Sequence, residues 1–356
     1  VYMDPPGALS VDIIGFSFEG PLNNRSNRRA LEMVLGGRKV GIIGAGLSGL
    51  MAGRILQDRG VKVTLFDKAR RPGGRANTRE HGPHRFDHGA QFFTVRDPGI
   101  RRHLDSWIDA GVVAEWRGVL VRIKGDVVEP ATNAARYVGV PGMINLPAAL
   151  AEGLDVRVDT QVDRLRFKGP GWTLWDVDEL DLGSFDSVLV ALPPTQAAEF
   201  LTHAPKVHAL IQDVEIAPCW AGMYVFERPL ALGFDGAFLA DEALSWIARN
   251  SSKPGRPEAE AWVIHANPEW THENLRLDQD QAAMALLRKF QALFGSGFDP
   301  VFQRGHRWAF ASGSYPTPRG AIFDTDLGIG ACGDWCMGGR IEGALLSAAA
   351  AADHIM

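Results

Sequence analysis

The segment that decides the fold is KVGIIGAGLSGL at residues 39–50, which is followed by VKVTLFD at residues 61–67. The two apolar runs predict buried parallel strands, and the residues between them predict a helix that Gly60 ends. The first turn has the pattern G-x-G-x-x-G. In this pattern the first glycine makes a tight turn, the second lets a pyrophosphate approach the backbone, and the third lets helix and strand pack closely. The three positions are Gly44, Gly46 and Gly49.

An acidic residue ends the second predicted strand. Asp67 follows the glycines at the usual distance of roughly 20 residues for a carboxylate that accepts ribose hydroxyls, and an acid there argues against a 2′-phosphate. The helix start would present unpaired N–H groups and a positive dipole end to the phosphates. A glycine pattern alone is also compatible with an ordinary turn. Together with its flanking elements and the acid, it predicts a dinucleotide-binding unit.

Composition limits the class of protein. The chain has 356 residues, of which 46% are hydrophobic and 22% charged, as in ordinary globular proteins, and this length predicts two domains. The net charge of −5 gives no reason to expect a nucleic-acid partner, although the 37 basic residues can still form local anion sites. With three cysteines and no apolar run of roughly 20 residues, we expect a cytoplasmic protein without a membrane partner.

Further glycine turns occur later in the chain. Gly73-Gly74-Arg75 lets the backbone pass close to a ligand and places a cation beside it. Near the C-terminus, a predicted strand over 329–332, the turn Gly333-Asp334 and an alanine-rich helix over 341–354 repeat the strand–turn–helix arrangement. We call each of these strand–turn–helix units a glycine corner. Two glycine corners are suited to a long cofactor that is held at both ends.

The middle of the chain alternates between two patterns. Residues 119–128 predict a hairpin, and residues 156–158, 161–167 and 172–177 predict a β-meander. Residues 188–192 predict a strand that returns to the parallel sheet. The block 204–316 predicts an antiparallel sheet covered by helices, including a helix over 278–290. It contains five tryptophans, which either form core or line a pocket for a planar substrate: Trp220, Trp246, Trp262, Trp270 and Trp308.

These motifs together resemble the FAD-dependent amine oxidase superfamily, and more finely the bacterial renalase-like proteins. The resemblance runs from about residue 39 to the C-terminus. Besides the glycine turns, it rests on LFDK at 65–68, GAQFFT at 89–94, WIARNSSKP at 246–254, WVIHA at 262–266, HRW at 306–308 and GDWC at 333–336. It implies an α/β fold, in which a Rossmann-type FAD-binding domain of the amine oxidase kind carries an inserted substrate domain of antiparallel sheet plus helices.

Domain boundaries follow from combining these predictions. We expect residues 1–37 to be a disordered or non-native extension. The FAD-binding domain would comprise residues 38–95, 140–203 and 315–356, and the substrate domain residues 96–139 and 204–314.

The resemblance also implies an activity. Renalase-like proteins hold FAD without a covalent bond and oxidise the 1,2- and 1,6-dihydro isomers of NAD(P) to NAD(P)+. The hydride goes to flavin N5, and dioxygen then takes the electrons and gives hydrogen peroxide. The expected partners are therefore a dinucleotide substrate and dioxygen. Hydride transfer needs no protein nucleophile and no metal, so the lack of either motif is no objection.

Individual residues receive roles from the same resemblance. The expected FAD-binding residues are Gly44, Gly46, Leu47, Ser48, Gly49, Asp67, Lys68, Gly74, Arg75, Gln91, Val162, Gly333, Asp334, Arg340, Glu342, Gly343 and Ala344. The candidate catalytic residues on the substrate side are Gln91, Arg249, Asn250, His265 and Trp335. His265 would orient a carboxamide or would simply be a satisfied strand histidine. Lys253 is expected in a solvated loop, and Cys336 as a buried thiol that is not linked to flavin.

Three other functions compete with this one. A true amine oxidase acting on a primary or secondary amine usually frames the flavin with an aromatic cage. This chain has only four tyrosines, and only Trp335 is expected where one cage wall should be. A non-catalytic regulator would bind NAD(P) and be colourless. A desaturase acting on polyenes should show an apolar membrane-docking stretch, and none stands out.

Overall fold

The computed structural model describes residues 11–13, 16–18, 37–212, 214–297, 299–313, 315 and 318–356. Strands β1 (Val11–Ile13) and β2 (Phe16–Phe18) form an antiparallel pair within the predicted N-terminal extension. The rest of that extension, up to residue 36, lies outside the described residues, so its predicted disorder stays a prediction.

Twenty further strands and eight α-helices follow in the rest of the described chain. The strands are β3 (Lys39–Ile43), β4 (Lys62–Phe66), β5 (Arg79–His81), β6 (His84–Phe86), β7 (Val113–Glu115), β8 (Leu120–Lys124), β9 (Val127–Pro130), β10 (Tyr137–Gly139), β11 (Asp155–Arg157), β12 (Val162–Lys168), β13 (Gly171–Asp176), β14 (Asp181–Phe185), β15 (Ser187–Val190), β16 (Ala217–Phe226), β17 (Gly236–Leu239), β18 (Leu244–Arg249), β19 (Glu260–Ala266), β20 (Pro300–Ser312), β21 (Ile322–Asp324) and β22 (Ile329–Ala331). The helices are α1 (Leu47–Asp58), α2 (Pro98–Asp109), α3 (Asn145–Ala151), α4 (Pro194–Phe200), α5 (Pro205–Ile211), α6 (Pro268–Glu273), α7 (Gln279–Phe294) and α8 (Ile341–Ile355). None of these helices is long and apolar enough to cross a membrane.

A six-stranded sheet forms the centre of the first layer, in the order β11-β4-β3-β15-β22-β21. All neighbours are parallel except β21 and β22. The inner strands are continuous apolar runs because both faces of the sheet are covered. Helices α1 and α8 share one core on one face, and the β12–β14 meander with α4 and α5 shares a second core on the other face.

The predicted meander is wrong in one strand. Residues 155–157 form β11, which pairs in parallel with β4 as an edge of the central sheet. The third strand of the meander is β14, which pairs with β13. Backbone hydrogen bonds hold residues 155–157 beside β4 and not beside β12. This pairing continues just past the end of β4, where the Asp67 N–H donates to Arg157 O at 2.9 Å.

A seven-stranded sheet forms the second layer, in the order β20-β16-β19-β18-β17-β8-β9. Its neighbours are antiparallel except β17 and β8, which run parallel. Its outer face packs on α6 and α7, and Asp278 caps the start of α7 with Gln281 as a capping box. Its inner face meets the first layer through the β5–β6 hairpin and residues 87–93. The predicted α/β architecture, a Rossmann-type sheet with an inserted antiparallel sheet and helices, is therefore confirmed.

Candidate active site

The first glycine corner lies between β3 and α1. Gly44 has a φ of +104°, and a Cβ there would lie 2.6 Å from Ala191 O. A Cβ on Gly49 would lie 2.0 Å from Gly44 O, so helix and strand touch through their backbones. A Cβ on Gly46, by contrast, would meet no atom within 4 Å. The open side of this corner is therefore at Gly46, where no side chain caps the helix start.

Asp67 lies directly beside this corner. Its Oδ2 accepts the Ala45 N–H at 2.7 Å, and its Oδ1 accepts the Ala69 N–H at 2.8 Å. The chain that follows β11 passes beside Asp67, since the Thr160 N–H donates to Asp67 O at 2.9 Å. It then enters β12 at Val162, which is buried. Lys68 is exposed next to them. The structure thus places these predicted FAD-binding residues together at the first corner.

The second glycine corner lies between β22 and α8, against the first one. Ser48 Oγ in α1 donates to Ala344 O in α8 at 3.0 Å, and Gly333 N–H donates to Ser347 Oγ at 3.0 Å. No side chain caps α8 at Arg340, which is exposed. Two helix starts that are distant in sequence, and that no side chain caps, therefore lie against each other.

Other predicted cofactor residues in these corners have structural roles that the sequence did not show. Glu342 Oε1 accepts the N–H groups of Arg96 and, at 2.8 Å, of Asp97, so it ties the chain after the GAQFFT segment to α8. Leu47 is buried in the core. A Cβ on Gly343 would lie 2.4 Å from Met337 O, so this glycine permits close packing.

Arg75 connects the two corners. Its Nη2 lies 2.5 Å from Asp334 Oδ1, and its Nη1 donates to Ala311 O of β20 at 2.9 Å. The neighbouring Gly74 approaches the first corner, because a Cβ there would lie 3.5 Å from Gly46 Cα. The predicted cation of the glycine turn is thus placed where both corners and the second sheet meet.

These features fit FAD. The open space at Gly46, the two uncapped helix starts and the cation of Arg75 match a diphosphate, and Asp67 matches a ribose. Burial raises the pKa of the Cys336 thiol to about 12, so this cysteine is a poor nucleophile towards a flavin ring. As predicted, its side chain is buried.

Three histidines line the inner face of the second sheet and are called the histidine wall: His88, His265 and His306. The His88 ring centroid lies 4.7 Å from that of His306. The His265 Nε2 atom lies 3.0 Å from His88 O. Because a carbonyl oxygen only accepts, we assign the proton of His265 to Nε2, which leaves Nδ1 as an acceptor in the neutral ring.

The histidine wall is neutral at physiological pH. Burial, followed by the charge of His306 and Arg79, lowers the pKa of His88 to about 3. Burial lowers the pKa of His265 to about 4, and burial with Arg79 lowers that of His306 to about 4. The wall therefore offers apolar ring faces and neutral hydrogen-bonding atoms.

Trp308 and Gly89 complete this surface beside Arg75. Trp308 Nε1 donates to His88 O at 2.9 Å. A Cβ on Gly89 would lie 2.1 Å from Arg75 O and 3.1 Å from the Trp308 ring. Of the five tryptophans of the block 204–316, Trp220, Trp262 and Trp270 are core on the outer face, whereas Trp246 and Trp308 lie on the inner face.

A buried ion cluster supports the wall from behind. Asp87 Oδ2 lies 2.5 Å from Arg256 Nη2 and 3.2 Å from Lys253 Nζ, and all three side chains are almost fully buried. Lys253 also donates to Gln91 Oε1 at 3.2 Å and to Asn250 Oδ1 at 3.1 Å. The prediction of a solvated loop at Lys253 is therefore wrong.

The cluster perturbs the pKa values of its members. Burial lowers the pKa of Lys253 to about 8, although Asp87 acts in the opposite direction. Burial alone would raise the pKa of Asp87, but Lys253 and Arg256 hold it below its usual value. Nothing in the local sequence NSSKPGR distinguishes this loop from a solvated one, because its partners come from residues 85–91 and 139.

The structure places the predicted substrate-side residues in four different settings. Gln91 and His265 lie together, with 3.5 Å between their Nε2 atoms. Asn250 is close to them but fully buried, and it accepts from Asp87 N–H and donates to Arg85 O. Asn250 therefore has a structural role in place of the predicted contact with substrate, because both ends of its amide already have protein partners.

Two of those residues are not in this group. Arg249 follows Ile247 on the outer face of β18 and pairs with Asp235, with Nε at 3.1 Å from Oδ1. Trp335 is fully buried in the core behind the second corner, where Nε1 donates to Leu192 O at 3.0 Å. The predicted substrate-side roles of Arg249 and Trp335 are therefore corrected, because neither residue faces the histidine wall. Arg249 forms an ion pair on the outer face, and Trp335 packs in the core.

Comparisons with known proteins agree with this geometry. Residues 121–356, well over half of the chain, match the family of flavin containing amine oxidoreductases, and residues 42–107 match a NAD(P)-binding Rossmann-like domain. Over 75 residues the chain is 47% identical to phytoene desaturase (neurosporene-forming) of Rhodobacter capsulatus, which covers 21% of this chain and 13% of that protein. Over 69 residues it is 36% identical to protoporphyrinogen oxidase 2 of Arabidopsis thaliana, which covers 19% and 14%. Both matches span only a small part of these relatives.

Solved structures match over nearly the whole chain. A candidate protoporphyrinogen oxidase from Exiguobacterium sp. 255-15 superposes with a TM-score of 0.72 at 12% identity, covering 90% of this chain and 99% of that one. Cyclohexylamine oxidase from Brevibacterium oxydans IH-35A gives 0.70 at 14% identity, covering 89% and 98%. At these identities the likeness concerns the fold. Together with the family match and the glycine corners, it shows that the chain belongs to the flavin-containing amine oxidoreductase family and binds FAD without a covalent bond.

Proposed function

We propose that the protein is a renalase-like oxidase. It oxidises the 1,2- and 1,6-dihydro isomers of NAD(P), with one proton and one dioxygen, to NAD(P)+ and hydrogen peroxide. Bound FAD supplies the two-electron chemistry of this reaction. The chain's own residues bind the substrate, orient its ring and exclude water. The renalase-like segments of the sequence support this choice within the family, and the charge around the histidine wall is the observation that carries it.

That surrounding charge is positive. Residues 75–92 contain two carboxylates, and both have cationic partners: Asp87 pairs with Lys253 and Arg256, and Glu80 lies 3.2 Å from Arg85. Among the described residues of this region, no carboxylate is left for a substrate ammonium group. A phosphate-bearing substrate with a neutral ring is better suited to such a site than an amine.

The wall also matches the nicotinamide ring itself. The neutral His265 has no Nδ1 partner among the described residues, so Nδ1 is available to accept an N–H from a carboxamide. Gln91 holds the segment that carries His88 by donating to Asp87 O and Gly89 O. The Trp308 indole is fixed by its bond to His88 O and supplies a flat apolar surface. These groups would orient a planar amide-bearing ring without any protein nucleophile.

Anaerobic reduction of the bound flavin tests the proposal. Purified holoprotein is mixed separately with 1,2-, 1,4- and 1,6-dihydro-NAD and with cyclohexylamine and putrescine, while the visible absorbance of the flavin is followed. We expect rapid bleaching by the 1,2- or 1,6-dihydro isomer and none by the amines. Bleaching by an amine alone would replace the proposal with an amine oxidase, and bleaching by none of the compounds would refute it.

A further inference from the structure

An open pocket of about 240 Å³ lies where the β5–β6 hairpin meets β20. Its floor is apolar and is formed by the fully buried Phe86 and Met223 and the half-buried Phe302. Two guanidinium groups, those of Arg79 and Arg304, also line it, together with Glu80 and His81. We call this feature the arginine pocket.

The lining holds more positive than negative charge. Neither Arg79 nor Arg304 forms an ion pair with any described residue, and the carboxylate of the lining, Glu80, is paired with Arg85 at 3.2 Å. The pKa of Arg79 lies below its ordinary value, because burial and the charges of Arg304 and Arg71 all oppose protonation. Two like charges held together, neither with an ion-pair partner among the described residues, are an arrangement that an anion would stabilise.

The arginine pocket is continuous with the histidine wall along one strand. Side chains alternate along β20, so Phe302, Arg304, His306 and Trp308 share the inner face. Gly305 confirms this orientation, because a Cβ there would lie 2.3 Å from Gln279 O on the outer side. At a strand rise of about 3.3 Å per residue, Arg304 lies roughly 7 Å from His306 along the strand and roughly 13 Å from Trp308.

A dinucleotide has the same order of groups, with a planar nicotinamide, then a ribose, then two phosphates. Resting on the proposed function, we infer that the arginine pocket binds the phosphates of the dinucleotide substrate while its nicotinamide lies at the histidine wall. The planar guanidinium groups of Arg79 and Arg304 donate to the phosphate oxygens, which is the geometry in which arginine exceeds lysine. Phe302 lies beyond Arg304 on the strand, so its half-buried ring lies on the side of the second ribose, which follows the phosphates.

Steady-state kinetics of the holoenzyme tests this assignment with two substrates. The variants are Arg79→Gln and Arg304→Gln, and the control is Arg288→Gln, which removes one charge from the exposed side of α7. For 1,2-dihydro-NAD we expect KM to rise roughly tenfold or more in both pocket variants, as for a lost charge-assisted hydrogen bond, with kcat little changed. The KM for 1,2-dihydronicotinamide riboside, which has no phosphate, should stay within about twofold. Equal effects on both substrates, or no effect on either, would overturn the inference while the proposed function stands.

A binding experiment decides the assignment even where turnover is absent. Calorimetric titration of the holoprotein with ADP-ribose, the dinucleotide without its nicotinamide, should show binding that weakens with added salt and about tenfold in each pocket variant. Binding should be unchanged in Arg288→Gln. If no dihydronicotinamide bleaches the flavin, the proposed function fails, and this titration alone judges the arginine pocket. Lack of ADP-ribose binding, or equal binding by Arg304→Gln, refutes it.

Discussion

Lys253 Nζ lies 3.2 Å from Asp87 Oδ2, and neither side chain has any exposed surface. Arg256 approaches the same carboxylate oxygen at 2.5 Å, so one buried anion neutralises two buried cations incompletely. Taking such charges out of water is costly, and the cluster persists because each polar atom has partners from several segments of the chain. The cluster thereby fixes the chain on both sides of His88 and Gln91.

Removing the anion of this cluster should lower the free energy of unfolding more than removing one of its cations. Asp87→Asn leaves Lys253 and Arg256 buried without a counter-ion and should lower the free energy of unfolding by about 3–5 kcal/mol. Lys253→Met still leaves Asp87 paired with Arg256, so its cost should be clearly smaller. Urea unfolding of the holoprotein at fixed FAD concentration measures both values. Lys289→Met, which breaks an exposed pair with Glu242, serves as the control and should hardly move the midpoint. The reverse order for the two cluster variants would contradict the assignment of charges.

Acid should destabilise the protein through the histidine wall. The pKa values of His265 and His306 are about 4 when folded, against 6.5 for an ordinary histidine, so the unfolded chain binds more protons between these pH values. The stability of the native state is therefore greatest above pH 6.5 and is lost as the pH falls towards 4. Each residue should account for on the order of 1–2 kcal/mol between pH 7 and pH 5.

Thermal or urea unfolding across that pH range checks this in two variants. His306→Gln removes one titrating group and should flatten the dependence on pH. Trp308→Phe keeps all three histidines and should retain the wild-type slope. A slope that is the same in His306→Gln and in the wild type would show that this ring already titrates normally in the native state.

The two glycines of the first corner should respond differently to alanine. In Gly49→Ala the new Cβ would lie 2.0 Å from Gly44 O, so the helix must shift and the protein should lose stability. In Gly46→Ala the Cβ meets no protein atom within 4 Å, so the fold should survive, yet the methyl group would occupy space assigned to the diphosphate. We expect normal circular dichroism with FAD affinity reduced tenfold or more. Full retention of FAD by Gly46→Ala would remove the diphosphate from this corner.

The kinetics of an Arg249 variant test whether this residue contacts the substrate. Its guanidinium pairs with Asp235 on the face of β18 that lies away from the histidine wall. Arg249→Gln should therefore leave kcat and KM for the dihydronicotinamide substrates within about twofold, with at most a small loss of stability. A clear loss of kcat or rise of KM for these substrates would restore the substrate-side role that the sequence predicted.

The elements that sequence predicts well in this protein are those with local causes. The strand–turn–helix corners at Gly44 and Gly333 are specified by apolar runs and glycines within about 20 residues, and both occur as predicted. Burial of Lys253 could not be predicted in this way, because its partners Asp87 and Gln91 lie more than 160 positions away. The same holds for Trp335, whose aromatic ring fits a cage wall as well as a core. Only tertiary packing decides between the two.

The parallel pairing of β17 with β8 has a consequence for folding during synthesis and for the fragments that can fold alone. Residues 236–239 complete a sheet whose edge was synthesised more than a hundred positions earlier, and the strands 155–157 and 187–190 of the other layer are translated between them. Neither layer is therefore one continuous piece of polypeptide. A nick in the intervening stretch should leave fragments that stay associated under native conditions, and no single truncation can liberate either half as an autonomous folding unit.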